Sequence, residues 1–278
     1  MREGIDTAQP RAIIKVGGSL LREGSDYEEI ANRLVPWLDR GAWVVVSAAA
    51  GVTDALDRLA HHRQADALSE ILHRHTRLAG ESLPSSLEGE LTDTVQDHGN
   101  RTTIVSWGER ASAAVLQARL RRIHTRVPIV ELTSTGALHG HAAAIVPGFY
   151  VRDAEGRIHL LPRGGSDISA VLLARRLGRS EIRLWKEGGG IHASDGASVV
   201  REIQGLDLVE RLGETIRPLH PAAVRLALRW GIELVLESPA HPALSTRVLT
   251  RPPTAVELRP RGLELLWEDA PRVEVMDR

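Results

Sequence analysis

The feature that most constrains this chain is an alternation of short apolar, β-branched runs with longer stretches of helical periodicity. Residues 12–16 and 42–47 read as strands, the second carrying three consecutive valines, and 102–107, 127–132, 181–185 and 232–236 are further candidates. These runs are apolar without period-two alternation, the pattern of a strand covered on both faces. Between them, residues 26–39, 53–62, 110–123, 167–177 and 221–230 carry helical patterns. Strands that alternate with helices predict an α/β fold: a three-layer αβα sandwich with a mainly parallel central sheet. Asp153-Ala154-Glu155-Gly156, between 148–152 and 157–161, predicts a hairpin turn.

Composition removes several function classes. Lys and Arg number 35 against 36 Asp and Glu, a net charge of -1, so the chain lacks the basic footprint of a nucleic-acid or anionic-membrane binder. Cysteine is absent, which excludes disulfides, thiol nucleophiles and thiolate metal sites. No apolar run reaches the ~18 residues of a spanning helix, and the polar stretch 1–10 lacks the apolar core of a secretion signal. The expectation is a soluble cytoplasmic protein with a small-molecule partner, no nucleic acid and no membrane. Residues 62–100 are polar, helical in pattern and rich in histidine. His73 and His75 stand two apart, so on a helix they point to different faces and do not share a metal. His139 and His141 have strand spacing but no third ligand, and no metal is assigned to them.

Of the 35 basic residues only Lys15 and Lys186 are lysine. The arginine excess is an ordinary product of a GC-rich genome, but the two remaining lysines are informative. A compact ammonium and a planar guanidinium are not interchangeable at a phosphate. Neither G-x-x-x-x-G-K-S/T nor a G-x-G-x-x-G after a strand occurs, so Walker and dinucleotide-binding loops are absent. G-x-S-x-G and H-E-x-x-H are missing too.

The glycines cluster elsewhere. Lys15-Val16-Gly17-Gly18-Ser19 directly follows the first strand, where two glycines let the backbone approach an anion. Lys15 alternates with Ile14 and Val16 and so faces the opposite side of the sheet. Arg163-Gly164-Gly165-Ser166-Asp167 precedes a helix, where unpaired first-turn N–H groups and the dipole favour anions. Trp185-Lys186-Glu187-Gly188-Gly189-Gly190 ends a strand, the place where open α/β sheets bind ligands. Both lysines therefore fall at strand carboxyl ends beside glycine pairs.

In this order the segments resemble the amino-acid kinase family, and its aspartokinase catalytic domain most closely. Lys15–Ser19 resembles K-F-G-G-T/S, and the run from Val45 to Asp54 is similar to V-V-S-A-x-x-G-V-T-N. Gly108-Glu109-Arg110-Ala111-Ser112-Ala113 is similar to G-E-x-x-S-A, and Gly148-Phe149 with Arg163–Asp167 to G-F … G-R-G-G-S-D. The run from Trp185 to Asp195 parallels W-K-D-V-D-G-V-x-T-x-D, and Leu219-His220-Pro221 the end of K-V-L-H-P.

The resemblance implies phosphoryl transfer from ATP, with Mg2+ bridging its phosphates, to a side-chain carboxylate, aspartate giving 4-phospho-aspartate. Lys15, Gly17 and Gly18 would hold the transferring group and Asp167 would orient Lys15 or neighbouring groups. Ser47, Thr53, Glu109, Arg163 and Ser166 would bind the acceptor, Arg163 through its α-carboxylate and Glu109 through its α-amino group. Ser19, Lys186, Glu187, Gly190 and Arg217 would fall on the nucleotide side, and a homodimer is implied. Five positions depart from the family pattern: Glu187 and Gly189 stand where it has aspartates, Arg217 where it has lysine, Asp54 where it has asparagine and Pro162 where it has the glycine before Arg163. The alternatives are a kinase of another small carboxylate or phosphate, or a catalytically weak nucleotide- or ligand-binding member. Residues 1–250 are expected to form the catalytic unit and 251–278, after Arg251-Pro252-Pro253, a short β tail. That tail is below the ~50 residues of a small domain, so no complete ACT regulatory domain is expected.

Overall fold

The computed structural model describes residues 12–134, 138, 140–162, 164–192, 198–212 and 219–250. Arg163, Arg217, His139, Asp195 and the tail 251–278 lie outside the described residues, and the expectations placed on them are not addressed by it.

In chain order the elements are β1 (Ile13–Val16), a 3-10 turn (Gly18–Leu20), α1 (Gly24–Leu38), β2 (Trp43–Val46), α2 (Val52–His62), α3 (Ala65–Ala79), α4 (Ser85–Gln96) and α5 (Arg101–Arg122). There follow β3 (Ala144–Pro147), β4 (Tyr150–Arg152), β5 (Ile158–Leu160), α6 (Gly165–Arg176), β6 (Glu181–Trp185) and β7 (Glu202–Gln204). The chain continues with α7 (Gly205–Leu212), α8 (Pro221–Trp230), β8 (Glu233–Glu237) and β9 (Thr246–Leu249). Seven strands form one sheet in the order β3-β2-β1-β6-β8-β9-β7. Every pairing in it is parallel except β8 with β9. The hairpin expected at Asp153–Gly156 joins β4 and β5, a separate antiparallel pair.

Both faces of the sheet are buried, as the non-alternating apolar runs require. Ile14, Val16, Val44 and Val46 pack with the buried faces of α1 to α5, while Ile13, Trp43 and Val45 pack with α6 and α8. The three-layer α/β expectation therefore holds. Lys15 shares the face of Ile13 and points toward α6, as its alternation with Ile14 and Val16 predicts. No helix among the described residues is long and apolar enough to cross a membrane.

Two expected strands are corrected. Residues 102–107 are helical, the first turns of α5. Its start is capped by Asn100, whose side chain accepts the Thr102 N–H at 2.9 Å. Every residue from Ile104 to Leu116 is buried, so α5 carries no exposed polar stripe and its helical period is invisible in the sequence. The β-branched run at its start then imitates a strand. Residues 127–132 run beside β3 through a single bridge, Ile129 to Ile145. The Ile145 N–H donates to Pro128 O (2.9 Å) and the Val130 N–H to Ile145 O (2.8 Å), but Pro128 has no N–H with which to extend a ladder. Strands β3, β7 and β9, only three or four residues long, were not among the expected ones.

The histidine-rich region forms α3 and α4. His73 is exposed whereas His75 is fully buried, edge-on to Trp107 with ring centroids 4.8 Å apart. The pair faces different sides, as its spacing predicts, but His75 is a core residue and not part of a wholly solvated helix.

Candidate functional site

Strand order places the site. β1 leads to β2 on one side and, after the helices, to β6 on the other, so the strand order reverses at β1, and the carboxyl ends of β1, β2 and β6 are where open sheets of this kind bind ligands. Lys15 stands near the end of β1, Lys186 one residue past β6, and Asp167 in the first turn of α6. These three are far apart in the chain and meet in one cluster. Lys15 Nζ lies 2.8 Å from Asp167 Oδ1, and Lys186 Nζ lies 2.9 and 2.8 Å from Asp167 Oδ1 and Oδ2. Lys15 and Asp167 are 5% and 3% exposed, which makes their ionisation a matter of the cluster and not of bulk water.

One carboxylate between two ammonium groups leaves a net positive charge in a largely buried cluster. Burial alone would raise the Asp167 carboxyl, but Lys15 and Lys186 overcome it and hold the group down, ionised. Burial pushes the Lys15 ammonium down to about 8, with Asp167 opposing the fall and Lys186 adding to it. Because the chain holds two lysines only, lysine labelled with 13C at Cε gives two resolved signals. One is expected to titrate near pH 8, about two units below an ordinary lysine. Two signals titrating together above pH 10 would show that Lys15 is not in this cluster.

The glycine loop after β1 departs from expectation in one respect. The Gly17 N–H donates to Trp185 O at 3.0 Å and is used in holding the loop to the end of β6, so it is not free for a ligand. The N–H groups of Gly18 and Ser19, at the start of the 3-10 turn, make none of the backbone bonds that hold the loop. Gly18 packs so closely on the next loop that a Cβ there would stand 2.5 Å from Ala48 O, which bars any larger residue.

That next loop, after β2, carries the other half of the pocket. Ser47 is buried and its N–H donates to Val16 O at 3.2 Å; Thr53 is half-buried in the first turn of α2. Arg74 of α3 braces the loop by donating from Nη2 to Ala50 O at 2.7 Å. Beneath the loop, on α5, Glu109 is 3% exposed; its Oε1 accepts the Ala48 N–H at 3.3 Å and its Oε2 has no partner. Burial pushes this carboxyl up to about 8, so at neutral pH it is largely protonated until a cation reaches it. A buried, half-satisfied carboxyl beside Lys15's pocket is suited to receiving an ammonium group.

Ser166 is buried in α6 against Gly148. Gly164, the residue before α6, has φ +73° and lies against His220, so a side chain is excluded both by backbone and by space. His220 in turn caps α8, its Nδ1 accepting the Ala222 N–H at 3.3 Å, which leaves Nε2 as the protonated nitrogen of the neutral ring. Glu187 is exposed and its Oε2 lies 2.5 Å from Arg22 Nη2. Gly190 is buried, its N–H donating to Leu244 O at 2.8 Å. Gly189, with φ +68°, turns under the Leu244 carbonyl.

The structure thus brings together Lys15, Gly17, Gly18, Ser47, Glu109, Ser166, Asp167 and Lys186, leaves the exposed Ser19 and Glu187 and the half-buried Thr53 at the rim, and buries Gly190 away from the cluster against Thr246 and Leu244. Sequence reasoning missed the strained backbone of Phe149, the bracing by Arg74 and the role of His220. Phe149 sits at φ +70° with its N–H bonded to Ser169 Oγ at 3.0 Å. A non-glycine residue in that region costs on the order of 1–3 kcal/mol, and nothing local in the sequence announces it.

A model of the amino acid kinase family matches residues 10–238. Aspartokinase of Thermus thermophilus is 27% identical over 245 residues, covering 81% of this chain and 55% of that enzyme. Lysine-sensitive aspartokinase 3 of Escherichia coli (strain K12) is 26% identical over 247 residues, covering 72% and 55%. The chain spans about half the length of the curated relatives it matches. Among solved structures, aspartate kinase of Clostridium acetobutylicum superposes with a TM-score of 0.73 at 16% identity, over 90% of this chain and 64% of that one. E. coli aspartokinase III in complex with aspartate and ADP superposes at 0.71 with 21% identity, over 86% and 65%. These superpositions establish a common fold.

Proposed function

The chain belongs to the amino acid kinase family, and from that premise we propose that it transfers the γ-phosphoryl group of ATP to the side-chain carboxylate of aspartate. The observation that carries the reading is the Lys15–Asp167–Lys186 cluster lying one loop away from the half-paired Glu109 carboxyl. An aspartate side chain is already ionised at pH 7, so the nucleophile needs no general base. What the reaction requires is alignment of two anions and neutralisation of the charge between them.

Each residue has a place in that task. Lys15 and Lys186 supply two ammonium groups to the phosphates, and Asp167 holds both where a phosphate oxygen can reach them. Gly18 and Ser19 offer backbone N–H donors, while Gly17 anchors the loop that presents them. Glu109 receives the substrate ammonium, Arg163 its α-carboxylate, and Ser47, Thr53 and Ser166 line the acceptor pocket. Glu187, Gly190 and Arg217 are assigned to the nucleotide by the family resemblance. Bound Mg2+ supplies further neutralisation of phosphate charge. Among the described residues no group of three or more His, Cys, Asp or Glu could hold a metal, and Asp167 is already shared by two lysines. In this reading the ion would be held through the nucleotide's own phosphate oxygens, as the family resemblance implies. The working form is read as a cytoplasmic homodimer, and sedimentation of the purified chain checks the oligomer.

The test traps the product. Acyl phosphates react with hydroxylamine, so incubation with Mg-ATP, aspartate and hydroxylamine is expected to give aspartyl hydroxamate in step with ADP. Folded protein that yields neither product removes the reading. Hydroxamate from a different carboxylate, with none from aspartate, keeps the reaction class and changes the acceptor.

A further inference from the structure

Glu237, the last residue of β8, is a buried carboxylate directly after the apolar run 234–236: Leu234 and Leu236 are wholly buried and Glu237 is 7% exposed. A buried charge on a strand is costly unless every lone pair is used. Here three acceptors of one residue are spent on three residues around the end of β6. Oε2 accepts from Arg183 Nη1 at 2.9 Å, Oε1 accepts from Trp185 Nε1 at 2.9 Å, and the backbone oxygen accepts the Lys186 N–H at 3.0 Å. Arg183 itself lies over the Trp37 ring, 5.1 Å from its centroid.

The consequence lies one bond further on. Trp185 O accepts the Gly17 N–H, so the residue that Glu237 grips by its indole is the one on which the glycine loop rests. A Cβ at Gly17 would be 3.0 Å from that oxygen and 3.5 Å from Lys186 Cδ, which shows how closely loop, strand end and lysine are stacked. Trp185 packs among the α1–α5 core while Lys186 reaches Asp167 on the α6 side. The indole therefore anchors one face of the strand end, and the ammonium works from the other. Past Trp185 the parallel ladder stops, and Glu237 O holds the first peptide beyond it.

We propose that Glu237 is the positioning residue for Lys186 and the Gly17–Gly18 loop, acting through the Trp185 indole and the Lys186 peptide. It touches no reacting atom. The proposal rests on the reading of Lys186 and that loop as phosphate-binding groups, and it adds a residue at the far end of β8 that sets their geometry. The carboxylate serves as a hydrogen-bond acceptor for Trp185 first and as Arg183's counter-charge second, and the two roles separate by substitution. Glu237→Gln keeps an oxygen for the indole N–H. Glu237→Ala removes it, Trp185→Phe removes the donor, and Arg183→Ala removes the charge pair, with Arg183's contacts to Trp37 and Glu181, while leaving the indole its acceptor.

The two lysines supply a readout independent of turnover. In protein labelled with 13C at lysine Cε, with signals assigned by Lys186→Arg, Glu237→Ala and Trp185→Phe are expected to move the Lys186 signal. Both are expected to lower kcat roughly tenfold or more, as misplacement of a charge-stabilising group does. Glu237→Gln and Arg183→Ala are expected to leave the signal in place and kcat within about threefold, and the Glu237→Ala, Trp185→Phe double variant to be no worse than either single one. The proposal is overturned if folded Glu237→Ala leaves both lysine signals and kcat unchanged, or if Glu237→Gln matches Glu237→Ala. Should the unaltered chain show no turnover, the proposed reaction fails. The lysine signals and a Mg-ATP affinity titration across the same variants then decide the positioning role by themselves.

Discussion

Replacing Lys15 with methionine lowers kcat/KM by about 10³-fold, or roughly 4 kcal/mol of transition-state stabilisation, while the protein stays folded. The size follows from where the ammonium sits. It is buried at the end of β1, paired at 2.8 Å with Asp167, and placed where low polarity makes a charge effective. Folding survives because Asp167 keeps Lys186 on both of its oxygens. Lys15→Arg does not restore activity: a planar fork cannot occupy the space of one ammonium between Asp167 and the glycine loop. Steady-state kinetics with thermal melts of the three proteins checks this. Activity of Lys15→Met within about tenfold of the unaltered chain would remove Lys15 from charge stabilisation in the transition state.

Asp167→Asn has the largest expected effect on stability, a loss of about 3–5 kcal/mol near neutral pH, because it leaves two ammonium groups facing each other in a buried site. The loss depends on pH in a defined direction. Lys15 binds its proton less tightly folded than unfolded, so stability rises with pH through the interval in which the unfolded chain holds more protons. Without the carboxylate, Lys15 falls further and gives up its proton earlier, so the gap between variant and unaltered chain narrows as pH climbs toward 8. On the acid side the unaltered chain follows the same sign, with stability again rising with pH. Its Asp167 carboxyl is held below the usual range, and the stability it supplies is present above the unfolded carboxylate value near 4 and lost as pH falls through the folded one. Denaturant unfolding of both proteins between pH 2 and 9 reads all three trends. A gap that does not change with pH would separate the stability loss from the lysine cluster.

Much of the site could be read without coordinates because its chemistry is local. A lysine beside two glycines at a strand end, and a helix begun by two glycines, a serine and an aspartate, carry their meaning within five residues. The elements that could not be read are those whose state depends on burial. α5 is enclosed almost all round, so the outward polar face that reveals a helix is missing and its first turns imitate a strand. Phe149 holds a positive φ because Ser169, the β4–β5 hairpin and Gly165 surround it, and no residue preference encodes that. Gly17 looked like a phosphate donor because glycine permits one. Its N–H faces Trp185 O instead, a fact of strand pairing that spacing does not contain.

Sequence alone therefore determined the layer architecture and the carboxyl-terminal strand ends at which the two lysines and the glycine loops fall, since each follows from periodicity or from residues adjacent in the chain. The tertiary structure decided which of those charges share a partner. Lys186 and Lys15 meet on Asp167, and Glu109 is left with an unfilled oxygen, because parallel pairing aligns β1, β2 and β6 at one edge and α6 begins against it. Charges become a site only when their separation falls to about 3 Å in a low-polarity interior, where a Coulomb term worth little in water outweighs ordinary side-chain freedom. That distance is a property of the packed sheet and not of any segment within it.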